Sequence, residues 1–175
     1  MENNTAYVVC GPICSGNRLL ASILVRCGCA GEGSANQPGT VEDIPDAKGP
    51  YVCIFHQDLD SWVAALKGKG YGQVVCIVMV REPVANLRSM RRNQQEFLFH
   101  RTATIARNIQ DIRSTDAHLE ILTYEGLCEE ALRLWLPTIG LTYKPGPLEL
   151  PGQKISGAIQ IQNKKHYNET PIEEF

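Results

Sequence analysis

AYVVCGPICSGNRLLASIL, residues 6–24, combines a β-rich apolar run, a turn with two glycines and an apolar helical pattern. Gly11 and Gly16 allow tight backbone turns between the two elements. The free amides at the start of the predicted helix, together with the helix dipole, favour an anion at that point. This run therefore predicts a strand, an anion-binding loop and a helix, in that order.

Apolar β-rich runs alternate with helical patterns along the rest of the chain. The run VVCIVMV is apolar at every position, which is typical of a central parallel strand covered on both faces. The pattern predicts a three-layer α/β/α fold with a mostly parallel sheet, in which ligands bind at the carboxyl ends of the strands. The predicted strands are 5–10, 51–55, 74–80 and 119–123, and the predicted helices are 16–27, 58–67, 83–93, 95–112 and 125–139.

Length and charge narrow the class of protein. A chain of 175 residues suits one domain, 1–175, with a long irregular loop over 28–49 and an irregular C-terminal segment over 142–175. The formal net charge of -2 argues against a general nucleic-acid binder. No apolar run approaches the roughly 20 residues that a membrane helix needs, and the first residues lack the pattern of a signal peptide. We therefore expect a cytoplasmic protein.

The seven cysteines are expected to be free thiols. Cys10, Cys53 and Cys76 lie in apolar strand runs, where a thiol acts as a small hydrophobic side chain. Cys27 and Cys29 are spaced too closely for ordinary structural zinc motifs and have no histidine at ligand spacing. Reduced thiols are the rule in the cytoplasm, so we expect no metal site.

The first loop nearly meets the pattern of nucleotide kinases, G-x-x-x-x-G-K-[ST]. Gly11 and Gly16 have the required spacing, but Asn17 stands at the lysine position and Arg18 at the hydroxyl position. An arginine cannot ligate Mg²⁺ as a hydroxyl does. The alternatives are an anion-binding loop of another kind, a kinase without its two chemical residues, and a glycine turn that only joins strand to helix.

A second motif follows the buried strand in VVCIVMVREPVANLRSM. Arg81 and Pro83 come directly after the strand, and Ser89 follows Arg81 on the next predicted helix. The two motifs together resemble the sulfotransferases that use 3′-phosphoadenosine 5′-phosphosulfate (PAPS). That family carries a first loop of the form P-[KR]-[ST]-G-[ST] and a later element of the form R-[DN]-P-x5-S.

The resemblance implies a P-loop NTPase-like sulfotransferase fold, PAPS as cofactor, 3′-phosphoadenosine 5′-phosphate (PAP) as its product, and no metal. In the family the first loop holds the 5′-phosphosulfate, and the arginine and serine of the second motif hold the 3′-phosphate. The cofactor contacts implied here are Cys14, Ser15, Gly16, Asn17, Arg18, Arg81 and Ser89.

Three further segments are similar to the family. YVCIFHQ places His56 at the end of the second predicted strand, where some members carry their general base. LTYEGLCEEALRLWLPTIGL resembles the late strand, Tyr-Glu-x-Leu and helix of the family. GAIQIQNKKHY resembles its C-terminal basic loop, which implies that Asn163, Lys164 and Lys165 contact the cofactor phosphates and that this segment closes over the nucleotide.

Cys14 is the main departure from the family pattern, because it stands where the family has lysine or arginine. A neutral thiol cannot neutralise the leaving phosphate, so Arg18 or a tail lysine must supply the charge. The implied reaction is transfer of a sulfonyl group to a hydroxyl or amine acceptor of unknown identity, with His56 as base. Two alternatives stand beside it: a protein that binds PAPS or PAP without catalysis, and a nucleotide or nucleoside kinase.

Overall fold

The computed structural model of the chain describes residues 4–31, 41–55, 59–92 and 117–146 and the strands Leu148–Leu150 and Gln153–Ile155. Its centre is a four-stranded sheet in the order β2-β1-β3-β4, with parallel pairing throughout. The α/β class and the parallel sheet that the sequence predicts are thereby confirmed. The four strands are β1 (Thr5–Cys10), β2 (Tyr51–Phe55), β3 (Gln73–Val80) and β4 (His118–Thr123).

Helices follow the strands in the alternating order that the sequence predicts. The first three helices and all four strands lie within one residue of their predicted bounds. Pro83 opens the third helix, where its missing N–H would have had no intrahelical partner. The helices are α1 (Asn17–Arg26), α2 (Leu59–Gly68), α3 (Pro83–Arg92) and α4 (Glu129–Trp135).

Each face of the sheet carries its own apolar core, because successive strand side chains point to opposite faces. Tyr7 and Val9 of β1 pack with residues of α1 and α4. Val8 and Cys10 pack on the other face with residues of α2. The central strand β3 is covered on both faces over 74–79, which explains why this run is apolar at every position.

The strand order reverses between β1 and β3, the point at which open parallel sheets form a crevice. The connection from β1 leads to β2 on one side, whereas β3 lies on the other side of β1. In open parallel sheets this reversal separates the loops that follow the two strands, and ligands bind there at the carboxyl ends. The loop 11–16 and Arg81 follow these two strands, so the fold brings the two sequence motifs to one edge of the sheet.

The helix predicted over 125–139 is wrong as one continuous element. A 3₁₀ turn over Tyr124–Gly126 comes first, with the Thr123 side chain accepting a hydrogen bond from Gly126 N. Leu127 and Cys128 are then extended, and the Cys128 sulfur caps α4. A second 3₁₀ segment, Leu136–Ile139, ends at Gly140 as predicted. The local caps break the helix because they satisfy backbone groups that a continuous helix would have used.

The two segments predicted to be irregular contain some regular structure. Within 28–49, residues Val41–Asp43 form a short 3₁₀ helix, and Ala30 pairs with Tyr51 along the outer edge of β2. After residue 142, the strands β5 (Leu148–Leu150) and β6 (Gln153–Ile155) pair antiparallel. The helix predicted over 95–112 lies outside the described residues.

No helix in the described ranges is long and apolar enough to cross a membrane.

Candidate functional site

The loop between β1 and α1 is held between the sheet and the residue that follows β4. A Cβ atom at Gly11 would lie 2.3 Å from the Met79 carbonyl oxygen, so this position accepts no side chain. Gly16 has a φ of 98° and lies against the ring of Tyr124, where a Cβ atom would come within 2.5 Å of Cδ2. Both glycines therefore lie where a side chain would clash, and the positive φ of Gly16 fits the tight turn that the sequence predicts.

The amino end of α1 opens at this loop. Gly16 is the N-cap residue, no side chain caps the helix, and the first turn contains no acidic residue. The first amides of an α-helix have no partner within the helix, and the helix dipole makes this end positive. The backbone thus offers donors and a partial positive charge at the point where the sequence predicts an anion.

Residues 12–15 form a closed turn within the loop. Ser15 N and Ser15 Oγ both donate to the Pro12 carbonyl, at 3.1 and 2.5 Å. Cys14, at the third position, has a φ of 65° and is the single non-glycine residue with positive φ in the described ranges. This sign pattern is that of a type II turn, whose third residue is usually glycine or asparagine. Cys14 therefore adopts a backbone conformation that its side chain disfavours.

Side chains within the loop satisfy its first carbonyls. Asn17 is buried, and its Nδ2 donates to the Gly11 carbonyl at 3.0 Å and lies 3.4 Å from the Pro12 carbonyl. Ser15 is fully buried, and its hydroxyl lies 3.2 Å from Asn17 Oδ1. The Asn17 and Ser15 side chains thus bond to the loop itself, which leaves backbone amides as the groups available to a ligand.

Donors from outside the loop hold the next two carbonyls. Asn86 Nδ2 donates to the Ile13 carbonyl at 2.9 Å, and Arg81 Nη1 donates to the Cys14 carbonyl at 2.9 Å. Both donors belong to the segment that leaves β3. The first sequence motif is therefore anchored by the second through side-chain to backbone hydrogen bonds.

Arg81 brings a positive charge to the loop. Its guanidinium lies over the Tyr124 ring, with Cζ 4.4 Å from the ring centroid. Its Nε is buried and has no hydrogen-bond partner among the described residues. Tyr124 and the Cys14 carbonyl hold the guanidinium beside the loop, and Nη1 is the only one of its nitrogens with a described hydrogen bond, so the group keeps donors for an anion.

Two carboxylates anchor the start of α3. Glu82 accepts hydrogen bonds from the amides of Val84 and Ala85, at 2.9 and 2.6 Å. These two bonds are the main reason that the pKa of Glu82 lies below its ordinary value. Glu125 accepts from Glu82 N at 3.1 Å and so ties the end of β4 to α3.

The other predicted site residues fall into two groups. Ser89 lies on α3, one helical turn beyond Asn86 and thus on the same side of the helix. Arg18, the second residue of α1, has an exposed side chain. The described contacts do not bring Arg18 to Cys14. His56, Asn163, Lys164 and Lys165 lie outside the described residues.

Cys10, Cys53 and Cys76 are buried in the apolar core, as the sequence predicts. Burial raises the pKa of Cys10, Cys53 and Cys76 to about 12, so these thiols stay protonated. None of the seven cysteines, all of which lie in the described ranges, forms a disulfide. In the described ranges, no group of three or more His, Cys, Asp or Glu side chains has the arrangement of a metal site.

Asn86 is the site residue that the sequence analysis missed. It is 9% exposed, which is low for an amide side chain in a helix that is polar overall. A signal was present, since Asn86 is spaced three residues from both Pro83 and Ser89 and so shares a helix face with Ser89.

Comparison of the chain with profiles of protein families, with curated proteins and with solved structures finds no match in any of the three.

Because Cys14 has a left-handed backbone conformation, glycine should be more stable than alanine at this position, the reverse of their order in a helix. Cys14→Gly should be more stable than Cys14→Ala by about 1 kcal/mol, because only glycine adopts this φ without steric cost. At the exposed helical position Ala64 the order should be normal, with Ala64→Gly less stable than the wild type by about 1 kcal/mol. Urea unfolding measures both differences. A Cys14→Ala protein more stable than Cys14→Gly would contradict the turn.

The cap on α3 predicts a pH-dependent contribution to stability. The pKa of Glu82 is lowered on folding, so its contribution is present above the ordinary value of 4.5 and is lost as the pH falls below that value. Glu82→Gln should therefore be less stable than the wild type at about pH 7, and the difference should shrink at about pH 3. Urea unfolding at the two pH values tests this. A difference that is equally large at both would show that charge on Glu82 is not the cause.

Proposed function

We propose that the protein binds PAPS or PAP across the carboxyl ends of β1 and β3 and transfers the sulfonyl group of PAPS to a hydroxyl or amine acceptor. The main support for this proposal is that Arg81 lies beside the uncapped amino end of α1. Both are at the point where the strand order reverses. An anionic ligand there gains helix amides and a guanidinium at once. The finer fold assignment, a P-loop NTPase-like sulfotransferase, belongs to the same proposal.

The ligand would lie along the line from α1 to α3. The phosphosulfate end would take the amides at the start of α1, since the side chains of Ser15 and Asn17 are bonded within the loop. The 3′-phosphate end would take the guanidinium of Arg81 and the Ser89 hydroxyl. Arg81 also donates to the Cys14 carbonyl, so it places a positive charge beside Cys14, whose own side chain carries none.

Catalysis requires groups beyond this binding frame. The acceptor oxygen or nitrogen attacks sulfur, the bond from sulfur to the bridging oxygen breaks, and PAP leaves with the electron pair. His56 would take the acceptor proton, and Arg18 or a tail lysine would neutralise the bridging oxygen. Lys164 and Lys165 are the candidate lysines in the tail, and Asn163 beside them would contact the cofactor phosphates.

A second candidate function is nucleotide binding without transfer. It is favoured by the exposed position of Arg18 and by the thiol at Cys14, because neither places a cationic side chain at the leaving oxygen. The kinase alternative is weaker. Asn17, at the position of the kinase lysine, is buried and bonded to the Gly11 carbonyl, and Arg18 offers no hydroxyl for Mg²⁺.

Calorimetry with PAP tests the binding proposal. The wild type should bind PAP more tightly than ATP with Mg²⁺, and Arg81→Ala should weaken PAP binding at least about tenfold through loss of a charge-assisted hydrogen bond. Ser89→Ala should weaken PAP but leave AMP, which lacks the 3′-phosphate, unchanged. The matched control is Lys69→Ala, since Lys69 pairs with Asp46 at the opposite, amino edge of the sheet. Tight magnesium-dependent ATP binding, or PAP binding that is equal in Arg81→Ala, would overturn the proposal.

Transfer of labelled sulfonate from PAPS to a panel of hydroxyl and amine acceptors separates the enzyme from the binder. Transfer that is abolished in His56→Ala, with PAP affinity retained, supports the enzyme. PAP binding with no transfer to any acceptor class supports the binder.

A further inference from the structure

Asn86 joins helix α3 to the loop between β1 and α1 through a side-chain hydrogen bond. Its side chain is nine-tenths buried, and its Nδ2 crosses from α3 to the Ile13 carbonyl at 2.9 Å. Ile13 is followed by Cys14, whose carbonyl is held by Arg81. One element, the segment from Arg81 to Asn86, therefore holds two consecutive peptide units of the opposite loop.

Holding a carbonyl fixes the amide that follows it. In a trans peptide the C=O of one residue and the N–H of the next point in opposite directions. With the Ile13 carbonyl turned to Asn86, the Cys14 N–H points away from α3. With the Cys14 carbonyl turned to Arg81, the Ser15 N–H points back to the Pro12 carbonyl and closes the turn. The two donors thus set the orientation of the amides around Cys14.

We infer that Asn86 is a positioning residue for the anion, acting through the Ile13 carbonyl to hold the 12–15 turn in its binding conformation. This inference rests on the proposed function. It also assigns α3 a double role, because Asn86 and Ser89 share one face of the helix. The helix that would receive the 3′-phosphate is then the helix that shapes the loop for the phosphosulfate, so the two ends of the ligand are coupled through α3.

A purely structural role for Asn86 makes a different prediction. In that case, removing the amide lowers the free energy of unfolding and nothing else, as removal of any buried α3 side chain would. Met90 is fully buried on the same helix and makes no described hydrogen bond to the loop. Met90→Ala is therefore the matched control, since it removes a buried α3 side chain that donates no hydrogen bond to the turn.

Amide hydrogen exchange tests the effect on the loop in the absence of ligand. Asn86→Leu should speed exchange of the amides over 13–16 by about two- to tenfold, the effect of one lost hydrogen bond on local opening. Asn86→Asp, which keeps the size but replaces the donor by an oxygen, should do the same. Met90→Ala should leave these amides within about twofold of the wild type. Unchanged exchange in both Asn86 variants would overturn the inference.

Calorimetry with PAP tests the effect on binding. Asn86→Leu should bind PAP at least about fivefold more weakly than the wild type, whereas Met90→Ala should bind it equally. PAP binding that survives in Asn86→Leu would overturn the positioning role and leave the proposed function standing. A wild type that does not bind PAP would overturn the proposed function and, with it, the role of Asn86 in holding an anion.

Discussion

The site depends on how the carbonyl groups of one loop are satisfied. Between β1 and α1 the chain turns sharply, and a buried carbonyl left without a donor would cost about 1–3 kcal/mol. The Gly11 carbonyl is buried, and those of residues 12–14 are partly buried. Asn17 and Ser15 supply donors from within the loop, while Asn86 and Arg81 supply them from the neighbouring element. Because its carbonyls are held in this way, the loop turns backbone amides rather than carbonyls toward a ligand at the amino end of α1.

This constraint also bears on the missing charge at Cys14. In the sulfotransferase family that we propose for this chain, a loop side chain brings the cation. Here Arg81 reaches the same residue from the next strand and bonds to its backbone carbonyl. A backbone contact needs no particular side chain at position 14, which is consistent with a cysteine there. Glu82 and Glu125 lie nearby and hold α3, so the positive charge is local and the chain as a whole can remain slightly acidic.

The sequence predicted the fold well where local and long-range signals agreed. β1, β3, α1 and α3 combine strong periodicity with glycine or proline punctuation, and their bounds lie within one residue of those predicted. The helix over 125–139 failed because Thr123 and Cys128 cap backbone groups locally, a competition that apolar spacing does not reveal. In the site, the order of the predicted strands placed Arg81 and the first loop at one edge of the sheet. It did not predict where the side chains of Asn17 and Arg18 point. Asn86 escaped notice because its role depends on a partner 73 residues away.

The central claim, an anion held by the amides of the β1–α1 loop, is tested most directly by nuclear magnetic resonance of the ¹⁵N-labelled protein during titration with PAP. The account predicts that the largest amide shifts occur over 14–18 and at the start of α3, and that they saturate together with one dissociation constant. Saturable binding with its largest shifts elsewhere in the chain, or no shifts in the loop, would contradict it.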